Sequence, residues 1–221
     1  MATIQSAIPM ARIEFVDEMV ARAFNAQAGT TMPEKPHLMI EFHGSPQGAA
    51  EDAQRFGEIV AAMGGAGFDW AGTTEARAAL WRMRHAAYPA CLALRPGAMG
   101  LVTDVCVPIP RLAEAVAAAR ADIAASGLMG PILGHVGDGN FHAILLIERD
   151  NATELATAKD LARRMAERAL AMGGTITGEH GVGLGKKALM AAEHGAAWGL
   201  MGEIKRALDP CGILNPGKLV P

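Results

Sequence analysis

The sequence predicts an α+β fold, in which helices pack against an antiparallel β-sheet. Segments with helical apolar spacing and segments with alternating spacing are interleaved, without the regular strand–helix–strand repeat of a parallel sheet. Residues 132–147 form two apolar stretches around a Gly-Asp-Gly-Asn turn, which is typical of an antiparallel hairpin. The chain has 221 residues, of which 51% are hydrophobic, so it can bury a core, and we expect one domain over residues 1–221.

Predicted strands and helices alternate through the first half of the chain. Asp17 is expected to cap a helix over residues 17–28, because its carboxylate can accept hydrogen bonds from the first free backbone N–H groups. Leu38, Ile40 and Phe42 alternate along a predicted strand, which places them on one face of it. The strands of this half are predicted over residues 10–16, 37–43 and 102–108.

Glycine and proline mark the ends of predicted helices. Gly64 ends a helix over residues 49–63, with Met63 on its apolar side, and Pro89 is expected to break a helix over residues 74–88. Further helices are predicted over residues 110–125, 153–172 and 197–208, with a glycine loop over 181–185 before a short helix and an irregular tail over 215–218.

Composition argues against several classes of protein. The formal charge is −3 and no basic patch stands out, so we expect no nucleic-acid partner. Cys91, Cys106 and Cys211 include no CxxC pair, so a disulfide scaffold is not expected and a reducing compartment fits. No apolar run approaches the roughly 20 residues of a membrane helix, and no signal-peptide pattern follows Met1. We therefore expect a cytoplasmic protein without a transmembrane segment.

The motif Gly134-His-Val-Gly-Asp-Gly-Asn-Phe-His142 gives the sharpest indication of chemistry. A loop over residues 137–140 would pair Val136 with Phe141 and His135 with His142, which places both imidazoles on one face with Cβ atoms about 5 Å apart. Two imidazoles at that separation can bind one divalent cation. The alternative is a pair of half-buried sheet histidines bonded to the backbone, and we favour metal ligation.

A second motif, Gly178-Glu179-His180-Gly181, places a carboxylate and an imidazole on flexible backbone. Glu179 can complete a set of two histidines and one carboxylate, which leaves coordination positions open for a substrate. His180 would then be free to act as a general base. The alternative is a loop whose Glu and His are only solvated, because sequence spacing does not bring residue 179 to residue 135.

Arg84 lies on a predicted helix with Trp81. Arginine is the usual ligand of a substrate carboxylate, because its fork of donors bonds both oxygens. Without other information, a surface arginine is the better interpretation of this residue.

Taken together, these motifs resemble a known family. GHVGDGNFHAILL, GTITGEHGVGLGK and LDPCGILNPGK, with EFHGS at 41–45, LWRMRH at 80–85 and TDVCVPIPRL at 103–112, resemble the C-terminal domain of FAD-linked oxidases of the vanillyl-alcohol-oxidase superfamily. Within it, the chain is most similar to the D-lactate dehydrogenases (cytochrome) and the glycolate oxidase D subunits. The resemblance runs from about residue 11 to the end. It implies a ferredoxin-like cap domain and oxidation of a D-2-hydroxy acid, with hydride transfer to FAD.

The resemblance also implies a role for each candidate residue. Zinc or manganese would be bound by His135, His142 and Glu179, and would hold the hydroxyl and carboxylate of the substrate. His180 would take the hydroxyl proton, and Arg84 would bind the carboxylate. Asn215 lies in a tail that, in relatives, returns towards the flavin, so it is a candidate for cofactor binding.

Two apolar positions bear on the substrate. In relatives that act on 2-hydroxyglutarate, polar groups at the positions of Val102 and Ile144 hold a second carboxylate. The resemblance therefore favours a short monocarboxylate, D-lactate, which would be oxidised to pyruvate.

One departure from the family concerns FAD itself. No glycine-rich flavin-pyrophosphate segment precedes residue 41, so we expect FAD to be held largely by a domain or chain absent from this sequence. Residues 195–221 would return towards that domain, and the apolar face that it would cover makes a homo-oligomer plausible. Two alternatives remain open: a non-catalytic module that binds metal or a partner, and a metal-dependent hydrolase in which the same metal activates water.

Overall fold

The computed structural model describes residues 2–221. Its strands are β1 (Arg12–Val16), β2 (His37–Glu41), β3 (Ala98–Val102), β4 (Val105–Cys106), β5 (Ile132–Gly134) and β6 (Asn140–Glu148). Its helices are α1 (Ala2–Gln5), α2 (Glu18–Ala28), α3 (Pro46–Ala62), α4 (Thr74–His85), α5 (Ala87–Ala93), α6 (Leu112–Ser126), α7 (Ala152–Ala171), α8 (Met190–His194) and α9 (Ala196–Leu208). Among these residues, no helix combines the length and the apolarity needed to cross a lipid bilayer.

The described strands form one antiparallel sheet in the order β2-β1-β5-β6-β3, and β4 also pairs with β6. β1, the first strand in the chain, therefore lies inside the sheet, between β2 and β5. The predicted α+β fold is confirmed.

Helices cover both faces of the sheet, because β6 is apolar on both sides. Phe141, Leu145 and Ile147 pack in a cluster with α6 and α7, whereas Ile144 and Leu146 pack in a second cluster with α2 and α5. Side chains alternate between the faces of a strand, so one strand contributes to two cores. β6 is thus the central element of a three-layer arrangement.

The strand beside β6 is interrupted at Thr103 and Asp104. β3 and β4 continue in one register, with Val102 opposite Ile144 and Val105 opposite Phe141. The single strand predicted over residues 102–108 is therefore wrong in extent. At the interruption, the side chain of Asp104 turns into the protein, where it is 1% exposed.

The buried residue of β2 lies on the face opposite Leu38. Met39 is 4% exposed and packs in the cluster with α2, whereas Leu38 is 47% exposed. Phe42 lies beyond the end of the strand, where its ring packs edge-on against Phe56 at 6.0 Å. β2 is an edge strand of the sheet, so its second apolar face stays at the surface. Met63, at the end of α3, is also exposed instead of packed.

Pro89 does not break a helix. α4 ends at His85, and Pro89 is the third residue of α5. Proline is tolerated in the first turn of a helix, because the N–H groups there have no partner within the helix. Ala87, Ala90 and Cys91 of α5 then pack in the cluster with α2.

Two residues of α9, Trp198 and Met201, pack against the core, and an apolar stripe of the same helix is exposed. Trp198 packs against the cluster of α6 and α7, and its Nε1 donates to the carbonyl of Leu219 at 2.9 Å. Leu200, Ile204 and Leu208, which are spaced four residues apart, are exposed.

Candidate metal centre

Neighbouring strands bring Glu14, His135 and His142 to one face of the sheet. Val16 of β1 is opposite Leu133 of β5, and Leu133 is opposite His142 of β6. Glu14 lies two residues from Val16, and His135 lies two residues from Leu133. The two therefore lie opposite each other, one position beyond the last paired residues of β1 and β5. The two imidazole rings meet edge-on, with centroids 5.8 Å apart.

The predicted register of this hairpin is wrong by two residues. His142 pairs with Leu133 instead of His135. A shift of two residues keeps every side chain on its face of the sheet, because the side-chain period of a strand is two. The two imidazoles therefore still face each other across the hairpin, diagonally instead of directly.

Each histidine uses Nδ1 to bond an acceptor. Nδ1 of His135 lies 2.7 Å from Oε1 of Glu14, and Nδ1 of His142 lies 3.0 Å from the carbonyl oxygen of Thr103. A carboxylate and a carbonyl can only accept, so both rings donate from Nδ1 and each neutral ring keeps a lone pair on Nε2. Burial lowers the pKa of His142, while the hydrogen bond to Glu14 raises that of His135 despite burial.

Both Nε2 atoms point at one carboxylate oxygen. Oε1 of Glu179 lies 2.9 Å from Nε2 of His142 and 3.4 Å from Nε2 of His135. Nε2 of His142 is buried and has no hydrogen-bond donor or acceptor in bonding geometry, in spite of the short distance. A lone pair facing a carboxylate oxygen is repulsive unless a proton or a metal cation lies between them, and burial, which lowers the pKa of His142, disfavours the proton. The chemistry of the donor set therefore fits a divalent metal.

Asp104 holds the loop that carries Glu179. Its carboxylate accepts hydrogen bonds from the backbone N–H groups of three consecutive residues, at 3.0 Å (Gly178), 3.2 Å (Glu179) and 2.9 Å (His180). Oδ2 also accepts from the hydroxyl of Thr177 at 2.9 Å and from Nζ of Lys186 at 3.1 Å. Burial acts to raise the pKa of Asp104, but these donors outweigh it and hold that pKa well below its ordinary value.

Close approach explains the glycine at position 178. A Cβ atom on Gly178 would lie 1.7 Å from Nδ2 of Asn140 and 2.9 Å from Oδ1 of Asp104. A side chain at this position would collide with the buried amide of Asn140, so that either this amide or the loop would have to shift. Glycine at position 178 therefore allows the loop to approach the hairpin this closely.

His180 lies beside the histidine pair. Its ring stacks on that of His142, with centroids 4.8 Å apart and an angle of 14° between the planes. Nε2 of His180 is 3.6 Å from Oε1 of Glu179, and its side chain is 44% exposed. An exposed imidazole beside the ligand set can exchange a proton with a bound molecule.

Arg84 is buried next to the site, against another residue of the protein. Its Nη2 donates to Oε2 of Glu14 at 2.7 Å, and Nε of Arg84 is buried without a partner. Arg84 and Glu14 are only 9% and 7% exposed. The surface position that we considered for Arg84 is wrong, because this ion pair draws the end of α4 onto β1.

Five of the six candidate residues meet in one place: Arg84, His135, His142, Glu179 and His180. Asn215 is not tied to them by the contacts of residues 2–221. Its backbone has a left-handed φ of 47°, and its side-chain oxygen accepts from Nζ of Lys218 at 3.1 Å, within the tail.

Sequence reasoning missed Glu14 and Asp104. Each is a charged residue inside a short, mostly apolar stretch of sequence: Glu14 in Arg-Ile-Glu-Phe-Val, which is β1, and Asp104 in Val-Thr-Asp-Val-Cys-Val, between β3 and β4. In the first, Glu14 has the same parity as the core residue Val16, which was a readable sign that a carboxylate points inwards. Their partners are far away in the sequence and could not be read from it.

Comparison with known proteins identifies the family of this chain. The family described as "FAD linked oxidases, C-terminal domain" matches residues 1–219. The chain belongs to this family. It is 43% identical over 218 residues to the "Probable D-lactate dehydrogenase, mitochondrial" of Danio rerio, and 40% identical over 221 residues to the "D-lactate dehydrogenase [cytochrome], mitochondrial" of Arabidopsis thaliana. The resemblance inferred from the motifs is confirmed.

The matches cover nearly all of this chain but less than half of each relative. They span 98% and 100% of this chain, against 44% of the zebrafish protein and 39% of the Arabidopsis protein. A solved structure, "4-ethylphenol oxidase from Gulosibacter chungangensis: isoeugenol complex", aligns with a TM-score of 0.71 over 95% of this chain and 47% of that one, at 14% identity. This structural match supports the fold alone.

The cytoplasmic location expected from composition is contradicted by these relatives, whose names carry the word mitochondrial. Composition could not make this distinction. A modest net charge and the lack of a long apolar run do not depend on whether a globular domain works inside or outside an organelle.

Proposed function

We propose that this chain forms the substrate- and metal-binding part of an FAD-dependent D-2-hydroxy-acid dehydrogenase that oxidises D-lactate to pyruvate. The family match and the two relatives named D-lactate dehydrogenase support the reaction class. One observation in the chain itself carries the proposal. The buried Nε2 of His142, which has no hydrogen-bond partner, lies 2.9 Å from a carboxylate oxygen of Glu179.

The metal would be held by His135, His142 and Glu179. Two imidazole nitrogens and one carboxylate oxygen suit zinc or manganese and leave positions open for a substrate. When bound, a divalent metal supplies a Lewis acid that lowers the pKa of a hydroxyl group. The hydrogen bonds to Nδ1 of both rings keep the two Nε2 lone pairs available for it.

Two further residues would act on the substrate. His180 is half-exposed beside the proposed metal ligands, so we assign it the role of accepting the proton of the substrate hydroxyl. Arg84 donates only through Nη2 to Glu14, which leaves other donors of its fork for a substrate carboxylate. Val102 and Ile144, directly opposite each other on β3 and β6, offer no polar group for a second carboxylate, which favours a short monocarboxylate.

FAD would be bound mostly outside this chain, in the part of the relatives that the chain does not span. When bound, the flavin accepts the hydride. We propose that residues 195–221, including Asn215, face that flavin-binding part. The exposed stripe of Leu200, Ile204 and Leu208 supports this placement, because such a stripe on a helix is usually covered by a partner.

Metal binding by the isolated chain is the first test. We expect one zinc or manganese ion per chain, and we expect His135→Ala and His142→Ala each to remove it. His43→Ala is the matched control, since His43 is an exposed histidine in the loop after β2. Metal content measured by mass spectrometry of the desalted protein decides the matter. Unchanged metal content in the His135 and His142 variants would refute the ligand assignment.

Turnover with flavin is the second part of this test. In a preparation that holds FAD, His180→Ala should abolish D-lactate-dependent dye reduction and leave the metal content unchanged. Metal binding without any dye reduction in the unmodified protein would instead support a non-catalytic metal-binding module. Hydrolysis of an ester without flavin would support the hydrolase alternative.

A further inference from the structure

We propose that Glu14 is a positioning residue that orients a metal ligand and a substrate-binding residue at once. Oε1 of Glu14 lies 2.7 Å from Nδ1 of His135, and Oε2 lies 2.7 Å from Nη2 of Arg84. The inference rests on the proposed function, since it takes His135 as a ligand and Arg84 as the residue that binds the carboxylate.

Both carboxylate oxygens of Glu14 are committed to these two partners. It lies on β1, between β2 and β5 of the sheet, opposite Met39 on one side. Each oxygen has one of these two partners, and its side chain is only 9% exposed, so little solvent can replace either bond. A buried carboxylate without partners would be strongly destabilising, so its two hydrogen bonds fix the rotamer of Glu14.

The carboxylate sets the tautomer of His135. An imidazole that donates from Nδ1 keeps its lone pair on Nε2, which is the atom that points at Glu179. The same carboxylate neutralises the guanidinium of Arg84 and fixes its direction, because Nη2 of Arg84 is committed to Oε2. Glu14 therefore couples the orientation of the proposed metal ligand His135 to that of the proposed substrate-binding residue Arg84.

An amide at this position can serve only one of the two partners. Glu14→Gln offers one acceptor oxygen and one NH2 group in place of two acceptors. The guanidinium of Arg84 has only donors, so it takes the amide oxygen, and the NH2 group then faces Nδ1 of His135. His135 must accept there and carry its proton on Nε2, where it blocks the metal.

The test is metal affinity, measured by titration of the metal-free chain with Zn²⁺ or Mn²⁺. We expect Glu14→Gln to weaken binding roughly 10- to 100-fold, the range found when partners of ligating histidines are removed. Glu41→Gln is the matched control. Glu41 lies on β2, has a carboxylate of similar burial that pairs with His43 at 3.1 Å, and does not touch the site. It should bind the metal like the unmodified chain.

Two more measurements separate positioning from a general loss of structure. The nitrogen chemical shifts of His135 in the metal-free chain should change from the Nδ1–H tautomer to the Nε2–H tautomer in Glu14→Gln. In the double variant with Arg84→Met, the amide oxygen is free to accept from Nδ1, so metal affinity should recover in part. If Glu14→Gln alone does not fold, the tautomer is measured in the double variant, where His135 should keep its proton on Nδ1.

The outcomes distinguish this inference from the proposed function. If the unmodified chain binds no metal, or His135→Ala binds it equally well, the proposed function fails. If the unmodified chain binds metal through His135 but Glu14→Gln binds it with equal affinity and an unchanged tautomer, the positioning role of Glu14 is overturned. A double variant that binds metal no more tightly than Glu14→Gln, or, where Glu14→Gln does not fold, one in which His135 carries its proton on Nε2, would overturn it too.

Discussion

Asp104 is the residue on which the loop of Glu179 and His180 depends most directly. Three consecutive N–H groups, a hydroxyl and an ammonium converge on its buried carboxylate. An anion that compensates this many donors in the interior is hard to replace, because each donor would lose both its partner and any access to water. The loop has no regular secondary structure, so these bonds are what fixes the position of Glu179.

Replacing that anion should destabilise the protein. We expect Asp104→Asn to lower the free energy of unfolding by roughly 3 kcal/mol, because an NH2 group would face N–H donors and Lys186 would lose its counter-charge. Urea unfolding followed by circular dichroism measures the change. Asp138→Asn, at an exposed aspartate of the hairpin turn, is the control and should stay within about 0.5 kcal/mol of the unmodified protein. Equal stabilities in the two variants would contradict this role of Asp104.

At the scale of single residues, spacing alone could place the members of the candidate site together only where they are close in the sequence, whereas Arg84, Glu179 and His180 were joined to them by the family resemblance. His135 and His142 share a hairpin, and an error of two in the register left them on one face, because the period of a strand is two. Glu14 and Asp104 could not be identified in this way. Glu14 lies 121 residues from His135, and nothing in the sequence says that β1 pairs with β5.

At the scale of elements, Asp17 joins the start of α2 to β5. One oxygen accepts from the N–H of Val20 at 2.9 Å, as expected for a helix cap, and the other accepts from the N–H of Ile132 at 2.8 Å. Burial raises the pKa of Asp17 to about 6, from an ordinary value of 3.8. The folded protein therefore binds this proton more tightly than the unfolded chain, and the stability due to Asp17 declines as the pH rises between these two values.

The predicted decline in stability with rising pH can be tested by comparison with Asp17→Asn, whose side chain at this position does not titrate. We expect the difference in unfolding free energy, unmodified protein minus variant, to fall by about 1–3 kcal/mol between about pH 4 and pH 7. Urea unfolding at each pH gives the two free energies under the same conditions, so contributions from other carboxylates cancel. A difference that stays constant or rises with pH would show that the cap is ionised throughout.

Elements at the surface were harder to predict than those in the core. The alternation along β2 places Leu38 on one face and Met39 on the other, and only the packing of α2 on one side of the sheet decides that Met39 is buried and Leu38 is exposed. Pro89 is compatible with either a helix end or a first turn. In the structure, α4 and α5 are separated at Ala86, which puts Pro89 in the first turn of α5. No glycine, proline or capping residue at this point predicts the separation.

At the scale of the whole molecule, β6 joins the two hydrophobic clusters. Its side chains enter the cluster of α6 and α7 on one face and the cluster of α2 and α5 on the other. Neither cluster can lose its packing while the other keeps β6 in place. We therefore expect the two sides of the sheet to unfold together.

Two tryptophans report on the two sides. Trp81 packs in the cluster with α2, and Trp198 packs against the cluster of α6 and α7. Variants that retain only one of them, with the other two tryptophans changed to Phe, should give the same urea midpoint by fluorescence and by circular dichroism. A separation of the two fluorescence transitions in either direction would show that the sides unfold independently.

The order of the strands also fixes when the site can exist during synthesis. Glu14 meets a partner 121 residues later, and Asp104 bonds the N–H of His180, 76 residues later. A growing chain that has released only the hairpin of His135 and His142 has neither Glu179 nor the loop that presents it. Binding of the proposed metal would therefore have to wait until the segment around residue 180 has left the ribosome, and a product truncated before that segment should bind no ion.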